Sequence, residues 1–592
     1  MQTKPFLIVA CWLALVVVLP SIARGQAAAP ASKSPEALLQ WSTANMQAFS
    51  TAWLATTPGK TSQSPAMERY RQALARKEVG TVFYLRPWIG IDWNDLAAVD
   101  QPVTIMLVPA GKTGNDVAIW IQGKQNSIGV QTCRKAATAY WEKSRYRFSS
   151  KRSEEMEVQR FARAAKANQP DERFLVLTTE GMLLTTRATD HRTLIARLAN
   201  ETYDKPPDDG APAAASSTFS LKPLSLLRQR RTNARSSGSR NWAVSAERLG
   251  AQQLNQLDGR LWLAPQQPCS VQLELSCAIA SPLKQAVRLL EMPRGEQFPP
   301  ATFATAQDDT ISTWRWHCRP AMHAFGNLFD EMIEPGEFGE GLFEDLLDGL
   351  KEDPEGPLVD LRRDLFDRLG PRFRAYSQVS DPSTNQRQSI YVAECTDANA
   401  GHVQETLEKF FRGDRAVTRQ SIGKYTCWSV APGKSLFIAV ESKDVTAFRA
   451  AAIGPQGFFI ATDPTLLQAS LTHAAPPDDD RALWSQLLQA SEDSAAGDLS
   501  AQVLLHTSRR FSAALNVASS QAPPYRSWES GLLRWALYGD DADGKVLSAK
   551  DIPNQADLQG FFLPAWLVFQ HAPDRLQLKI GFLDQMPPTR PE

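Results

Sequence analysis

Two stretches of this chain pass through the same order of short apolar segments and close on nearly the same residues. That recurrence limits the possible folds more than any other feature. In the first stretch, Val103–Val108 and Val117–Gln122 read as strands, with Gly111-Lys112-Thr113-Gly114 between them as a hairpin connection. A helical pattern follows near Val130–Lys143. Strands come next near Tyr146–Phe148, Phe174–Thr178 and Leu183–Thr186, and a helix runs from His191 to Leu198. In the second stretch, Gln388–Glu394 is a strand and His402–Phe411 a helix with Val403, Leu407, Phe410 and Phe411 on one face. Val417–Ile422 and Tyr425–Val430 are strands about Gly423, Leu436–Val440 is another strand, and Asp444–Ala451 is helical. Phe458–Ile460 then leads to a helix capped by Asp463, with Pro464 at its first position. The endings match: Ala188-Thr189-Asp190 precedes Leu194, Ile195 and Leu198, as Ala461-Thr462-Asp463 precedes Leu466, Leu467 and Leu471.

The pattern predicts an α+β fold in which two related modules of mainly antiparallel sheet carry helices on one face, plus a C-terminal α+β extension. Helical patterns also cover Glu36–Trp53 and Met67–Arg76. Further strands are expected at Val82–Leu85, Ile311–His317, Ala565–Gln570 and Leu576–Phe582. With 592 residues, at about 100–200 per domain, the chain needs several units. The Pro/Ala/Asp-rich run Lys205–Ser217, the basic run Arg228–Arg240 and Pro476-Pro477-Asp478 mark the breaks. The expected division is a leader at 1–25, a flexible stretch at 26–35, module 1 at 36–204, a linker at 205–240, module 2 at 241–475 and the extension at 476–592.

The leader bears on compartment. Lys4 precedes an unbroken apolar run, Phe6–Leu19, and Ala23-Arg24-Gly25 offers small residues where a signal peptidase reads, with cleavage before Gln26. The run is shorter than the roughly 20 residues that span a bilayer as a helix. A lipoprotein signal is disfavoured, because Cys11 lies inside the apolar run. The expectation is a secreted or periplasmic protein with no membrane span after cleavage. Six cysteines then remain, Cys133, Cys269, Cys277, Cys318, Cys395 and Cys427. Disulfides are permitted in that compartment, and Cys395 with Cys427 is the preferred pair; buried free thiols are the alternative.

The strand Phe174-Leu175-Val176-Leu177 leading to Ala188-Thr189-Asp190 resembles a recurring feature of an exported bacterial protein family of unknown function. Gly457-Phe458-Phe459-Ile460-Ala461-Thr462-Asp463 resembles the same feature, and Glu352–Leu369 leading into Phe373–Ser377 is similar to another. In that family repeated α+β modules follow a signal peptide. The resemblance covers about half of the mature chain and implies a fold only, since the family carries no established catalytic residues.

Most familiar chemistries fail on spacing. Lys+Arg and Asp+Glu number 64 each, so no global field steers the chain to nucleic acid. Gly59-Lys60-Thr61 and Gly111-Lys112-Thr113 lack the first glycine of a phosphate loop, which falls on Leu54 and Met106. His317, Cys318 and His323 lack the paired spacing of structural zinc. Asp540-Asp541-Ala542-Asp543-Gly544 looks like part of a calcium loop, but position 12 is Lys550 rather than a glutamate. Acidic residues from Asp330 to Asp367 alternate with Leu342, Phe343, Leu346, Leu347 and Leu350 at helical spacing, as in an amphipathic helix with a solvated acidic face. No G-x-S-x-G occurs, and the seven histidines are scattered. No catalytic, cofactor-binding or metal residue is therefore assigned. The reading is an exported, non-enzymatic binding or scaffolding protein with an envelope or extracellular protein partner. The alternatives are an envelope hydrolase built from dispersed Asp, Glu and His, and a calcium-dependent adhesion module.

Overall fold

The computed structural model describes residues 37, 39–110, 114–163, 171–186, 191–200, 216–222, 256–278, 310–317, 342–381, 386–432, 436, 448–472, 478–494, 499–519, 533, 534, 536–539, 541, 545–572 and 575–584. The leader, residues 111–113 of the hairpin turn, and residues 205–215 and 223–240 lie outside them; within the expected linker 205–240, Ser216–Leu221 is instead a strand of the sheet, paired on both sides. Ten strands occupy the first half: β1 (Leu39–Thr43), β2 (Val103–Ala110), β3 (Gly114–Gln122), β4 (Arg147–Arg152), β5 (Met156–Arg163), β6 (Asp171–Thr178), β7 (Gly181–Thr185), β8 (Ser216–Leu221), β9 (Leu257–Leu263) and β10 (Cys269–Ala278). Ten occupy the second: β11 (Thr310–His317), β12 (Leu369–Asp381), β13 (Gln386–Cys395), β14 (Val417–Ile422), β15 (Tyr425–Val430), β16 (Ala450–Gly454), β17 (Gly457–Ala461), β18 (Leu499–Leu505), β19 (Ala565–Ala572) and β20 (Arg575–Leu583).

Every pairing is antiparallel, and together they join the 20 strands into one sheet. Among the described residues, the order from one end is β4-β5-β6-β7-β3-β2-β1-β8-β9-β10. From the other it is β14-β15-β16-β17-β13-β12-β11-β18-β19-β20. The two orders are the same, ten strands apart, and they meet where β10 pairs β20. At that seam Leu273 faces Ile580, Glu274 faces Lys579 and Leu275 faces Leu578.

Register repeats as well as order. In the first half one row runs Phe219–Trp41–Ile105–Ile119–Leu184. In the second the corresponding row runs Val503–Trp314–Ala375–Tyr391–Ile460. The residue after β7 and the residue after β17 behave alike. Thr186 donates its amide to the Val117 carbonyl (3.2 Å) and accepts the Val117 amide on Oγ1 (3.2 Å). Thr462 donates to the Ser389 carbonyl (3.0 Å) and accepts the Ser389 amide on Oγ1 (2.9 Å). Each threonine ends its strand by extending the ladder with a side chain. Asp463 then caps the next helix, accepting the amides of Thr465 (2.9 Å) and Leu466 (3.2 Å).

Side-chain alternation along β15 and β16 decides how helices pack. Ala450, Ala452 and Cys427 lie with Leu466 and Leu467 of the helix Pro464–Thr472. Their neighbours Ala451, Ile453 and Trp428 lie with Val403 and Leu407 of the helix Asp397–Phe410. Successive strand residues point to opposite faces. Helices therefore flank both faces here, instead of the single face expected from the sequence. The largest cluster crosses the seam, running from Trp41, Phe49 and Trp93 through Leu273 and Ile580 to Val503.

Other expectations shift for local reasons. Glu36–Trp53 is not one helix: β1 comes first, and Asn45 then caps the helix Met46–Ala55 by accepting the Ala48 amide (2.8 Å). Val82–Leu85 forms no strand; Thr81 and Tyr84 make one isolated bridge before a helical turn at Arg86–Ile89. Ala450 and Ala451 belong to a strand, not to the helix expected at Asp444–Ala451. Residues 437–440 lie outside the described residues. The stretch from β18 to β20, read as an extension, is hydrogen-bonded between β10 and β11. No described helix is long and apolar enough to cross a membrane, which leaves strand-built spans unaddressed.

Candidate functional site

The chain reaches position 57 soon after the helix Met46–Ala55, and the last described strand brings Asp584 to the same place. Thr56 ends that helix and caps a short one, Thr57–Thr61, by accepting the Gly59 amide on its hydroxyl (3.2 Å). Asp584, anchored through its amide to the Pro268 carbonyl (2.9 Å), accepts the Thr57 amide on Oδ1 (3.0 Å). A carboxylate at a helix start is favourable because the amides there lack partners within the helix. Ser64 opens the next helix, Pro65–Lys77, by accepting the Met67 amide (3.3 Å).

These elements, with the turn about Asp557 and Gly560, wall a cavity of about 670 Å³ lined by Thr57, Thr61, Ser64, Arg69, Asp557, Gln559 and Asp584 among others. Such a volume suits a small polar molecule or a short chain segment. Its floor is tight: a Cβ on Gly560 would meet Thr61 Oγ1 at 1.8 Å. The wall's acids already have partners. Asp584 holds Thr57, and Asp557 accepts the Asn554 amide on Oδ2 (3.1 Å) within a capping box. Thr61 donates its hydroxyl to the Thr57 carbonyl (2.9 Å). Arg69 stands exposed at the rim. The arrangement offers a ligand hydrogen bonds, the Arg69 cation and two carboxylates that each accept one backbone amide.

The other candidates disperse. Gly59-Lys60-Thr61 is helical, and a Cβ on Gly59 would strike the Trp53 carbonyl at 1.9 Å, so that glycine serves packing. His317 ends β11, whereas Cys318 and His323 lie outside the described residues. Among the described residues, no three His, Cys, Asp or Glu gather as a metal site. In the acidic stretch, the helix Leu342–Glu352 buries Leu347 and exposes Asp345 and Asp348. Of the calcium-like turn, Asp541 is described. It is buried, and it accepts the amides of Lys545 (2.9 Å), Val546 (2.9 Å) and Leu547 (2.7 Å). Both its oxygens are committed to folding a loop.

The cysteines correct an expectation. Cys133, Cys269, Cys277, Cys395 and Cys427 are free, buried thiols. Cys395 packs with Val403 and Leu407, and Cys427 with Phe459 and Leu466, on opposite sides of the sheet. Burial pushes both thiols up to about 11, which leaves them almost wholly protonated and poorly nucleophilic. A Ser–His contact does occur, Ser508 Oγ to His506 Nδ1 at 3.0 Å. It joins residues two apart at the start of the helix Thr507–Ser519, where polar capping contacts are ordinary.

Sequence reasoning did not find the cavity residues. Arg69 lies inside the helical pattern Met67–Arg76 with no motif about it, and Asp584 follows the expected strand Leu576–Phe582. Nothing local marks Thr57 and Asp584 as positions that meet across 527 residues. The fold and site define a mixed α and β protein, built on one long antiparallel sheet, with a polar cavity where its last strand meets its early helices. No family model, curated protein or solved structure matches the chain.

Proposed function

We propose that this is an exported, non-enzymatic binding or scaffolding protein of the periplasm or cell surface, built from two duplicated modules. The common strand order and register support modules spanning 39–278 and 310–583, in place of the sequence-based division. Membership in a family of exported repeat proteins belongs to the same reading, as does cleavage of the leader before Gln26. The observation that carries the non-enzymatic part is the state of the cavity acids. Asp584 and Asp557 each accept a backbone amide that would otherwise lack a partner. Each carboxylate thus has a capping role in the fold, which is what supports the binding reading.

The test pairs activity with fractionation. Purified protein is assayed against peptidoglycan, neutral glycans, esters and peptides, beside Asp584→Asn and Ser508→Ala. The expected result is no turnover in any of the three, with the native product recovered outside the cytoplasm and beginning at Gln26. Turnover abolished by either substitution would establish the hydrolase reading instead. The calcium reading has lost its main ligand, since Asp541 is engaged by three amides.

A further inference from the structure

We propose that the strand β4, at one end of the sheet, binds an acidic, extended peptide by strand addition. Among the described residues β4 (Arg147–Arg152) pairs on one side, with β5. In an antiparallel pair every second residue turns both its N–H and its C=O away from the partner. A row of backbone donors and acceptors therefore lines the outer side of β4. All six residues are exposed, so that side stands open. The chain leading in and out is described throughout, from the helix Ile128–Lys143 to the turn at Ser153 and on into β5. The edge is about 20 Å long, the span of about six extended residues.

The backbone asks for a strand, and the side chains ask for an acidic one. From position 145 to 152, Arg145, Arg147, Lys151 and Arg152 are cations, and no acid lies among them. Arg147, Lys151 and Arg152 are exposed, and among the described residues none of them sits in an ion pair. Acids of the same region have partners. Glu155 pairs with Arg192 at 3.0 Å and Glu172 with Arg160, while Glu157, opposite Arg152, accepts Gln159 Nε2 at 2.6 Å. Glu142 and Glu154, on the flanking helix and turn, are exposed. Alternation puts Arg147 and Lys151 on one face of β4, and Phe148 and Arg152 on the other. Phe148 is 54% exposed, and its ring lies 5.3 Å from that of Phe161. An added strand thus meets two cations on one face and a half-exposed ring on the other. Carboxylates at alternate positions match the first, and aliphatic side chains between them match the second.

The other end of the sheet shows what is particular to β4. There β14 holds the equivalent place, and its one cation, Arg419, bonds Glu408 at 2.6 Å. A second copy of the chain fits β4 poorly. In a symmetric antiparallel pairing, Arg147 of one copy would face Arg152 of the other, and like charges directly opposite are destabilising. Basic side chains on an edge deter such self-pairing. The same side chains attract a strand of opposite charge.

The inference rests on the binding reading, and the two fail separately, because turnover is read in a different assay. The test is calorimetric titration of the full chain with a short capped peptide that alternates glutamate and valine. Binding is expected, weaker at high salt. It should fall at least tenfold when Arg147→Glu and Lys151→Glu are combined, and stay unchanged in Arg419→Glu, with melting temperatures close to wild type. A peptide with lysine in place of glutamate should not bind. An acidic peptide N-methylated at every residue keeps its charge and loses its backbone donors, and should also fail to bind. Absence of heat with the acidic peptide at millimolar concentration would overturn the proposal. Equal binding of the N-methylated peptide would overturn it too, since the contact would then be one of charge alone, as with any polyanion. So would binding that survives reversal of both cations.

Discussion

Both halves of the sheet place a tryptophan at the same register of their first strand, and they use it in opposite ways. Trp41 is packed with Phe49 edge to face at 5.8 Å and donates its indole N–H to Ser217 (3.0 Å). The chain between β1 and β2 supplies the cover, with Phe49, Trp53, Ile89, Trp93 and Leu96 in the same cluster. Trp314, at the matching place on β11, is exposed. The comparison teaches that the halves agree in strand order and register while differing in how far the matching indoles are buried. The row about Trp41 is core, whereas Trp314 and Tyr391 in the matching row are exposed.

The sharpest way to break this comparison is to truncate both indoles. Trp41→Ala should cost about 3–5 kcal/mol, as for other large core residues, read from urea unfolding. Trp314→Ala should cost clearly less, because Trp314 is already 40% exposed in the folded protein. Equal losses would mean that the two sites are equally buried.

Next in size is the loop that carries Asp541. Asp541→Ala removes a buried acceptor from three amides, of which the Leu547 amide is buried and the others partly buried, and should cost about 2 kcal/mol. Calcium should not shift the melting temperature of either protein; a calcium-dependent shift lost in the variant would restore the adhesion reading.

The two strand-ending threonines offer a matched pair. Thr186→Val and Thr462→Val each remove one hydroxyl that accepts a ladder amide, and each should cost about 1 kcal/mol. A clear inequality would show that the halves differ in packing at a point where their hydrogen bonds agree.

A smaller effect links the halves. Lys77, at the end of an early helix, bonds Asp551 Oδ2 at 2.7 Å, and the ammonium together with Ser548 holds that carboxyl well below the usual range. A depressed folded-state pKa gives stability that is present above the unfolded value of about 4 and is lost as pH falls through the folded value. Wild type should therefore lose stability below about pH 4 more steeply than Lys77→Met, in urea melts run from neutral to acid pH.

Several elements were legible in the sequence because their signals are local. Helical spacing of Val403 and Leu407 found the helix Asp397–Phe410, and Asp463 with Pro464 marked the next helix start. Paired apolar runs found β19 and β20. The signals failed where partners are far apart. β10 and β20 carry nothing that names each other, so the seam and the membership of β18 to β20 in the sheet stayed hidden. β1 was absorbed into a helix because Leu39 to Trp53 is apolar at a period that fits either form until Asn45 divides it. Cys395 and Cys427 looked like a pair by position along the chain; strand alternation puts them on opposite faces. The cavity depends on distant residues meeting, and residue type alone does not mark it.

Hydroxyl-radical footprinting of the native full-length protein tests the contrast between the halves most directly, by comparing oxidation of Trp314 and Trp41. The account expects rapid modification of Trp314 and strong protection of Trp41 until the chain unfolds. Equal protection of both indoles in the native state would contradict it.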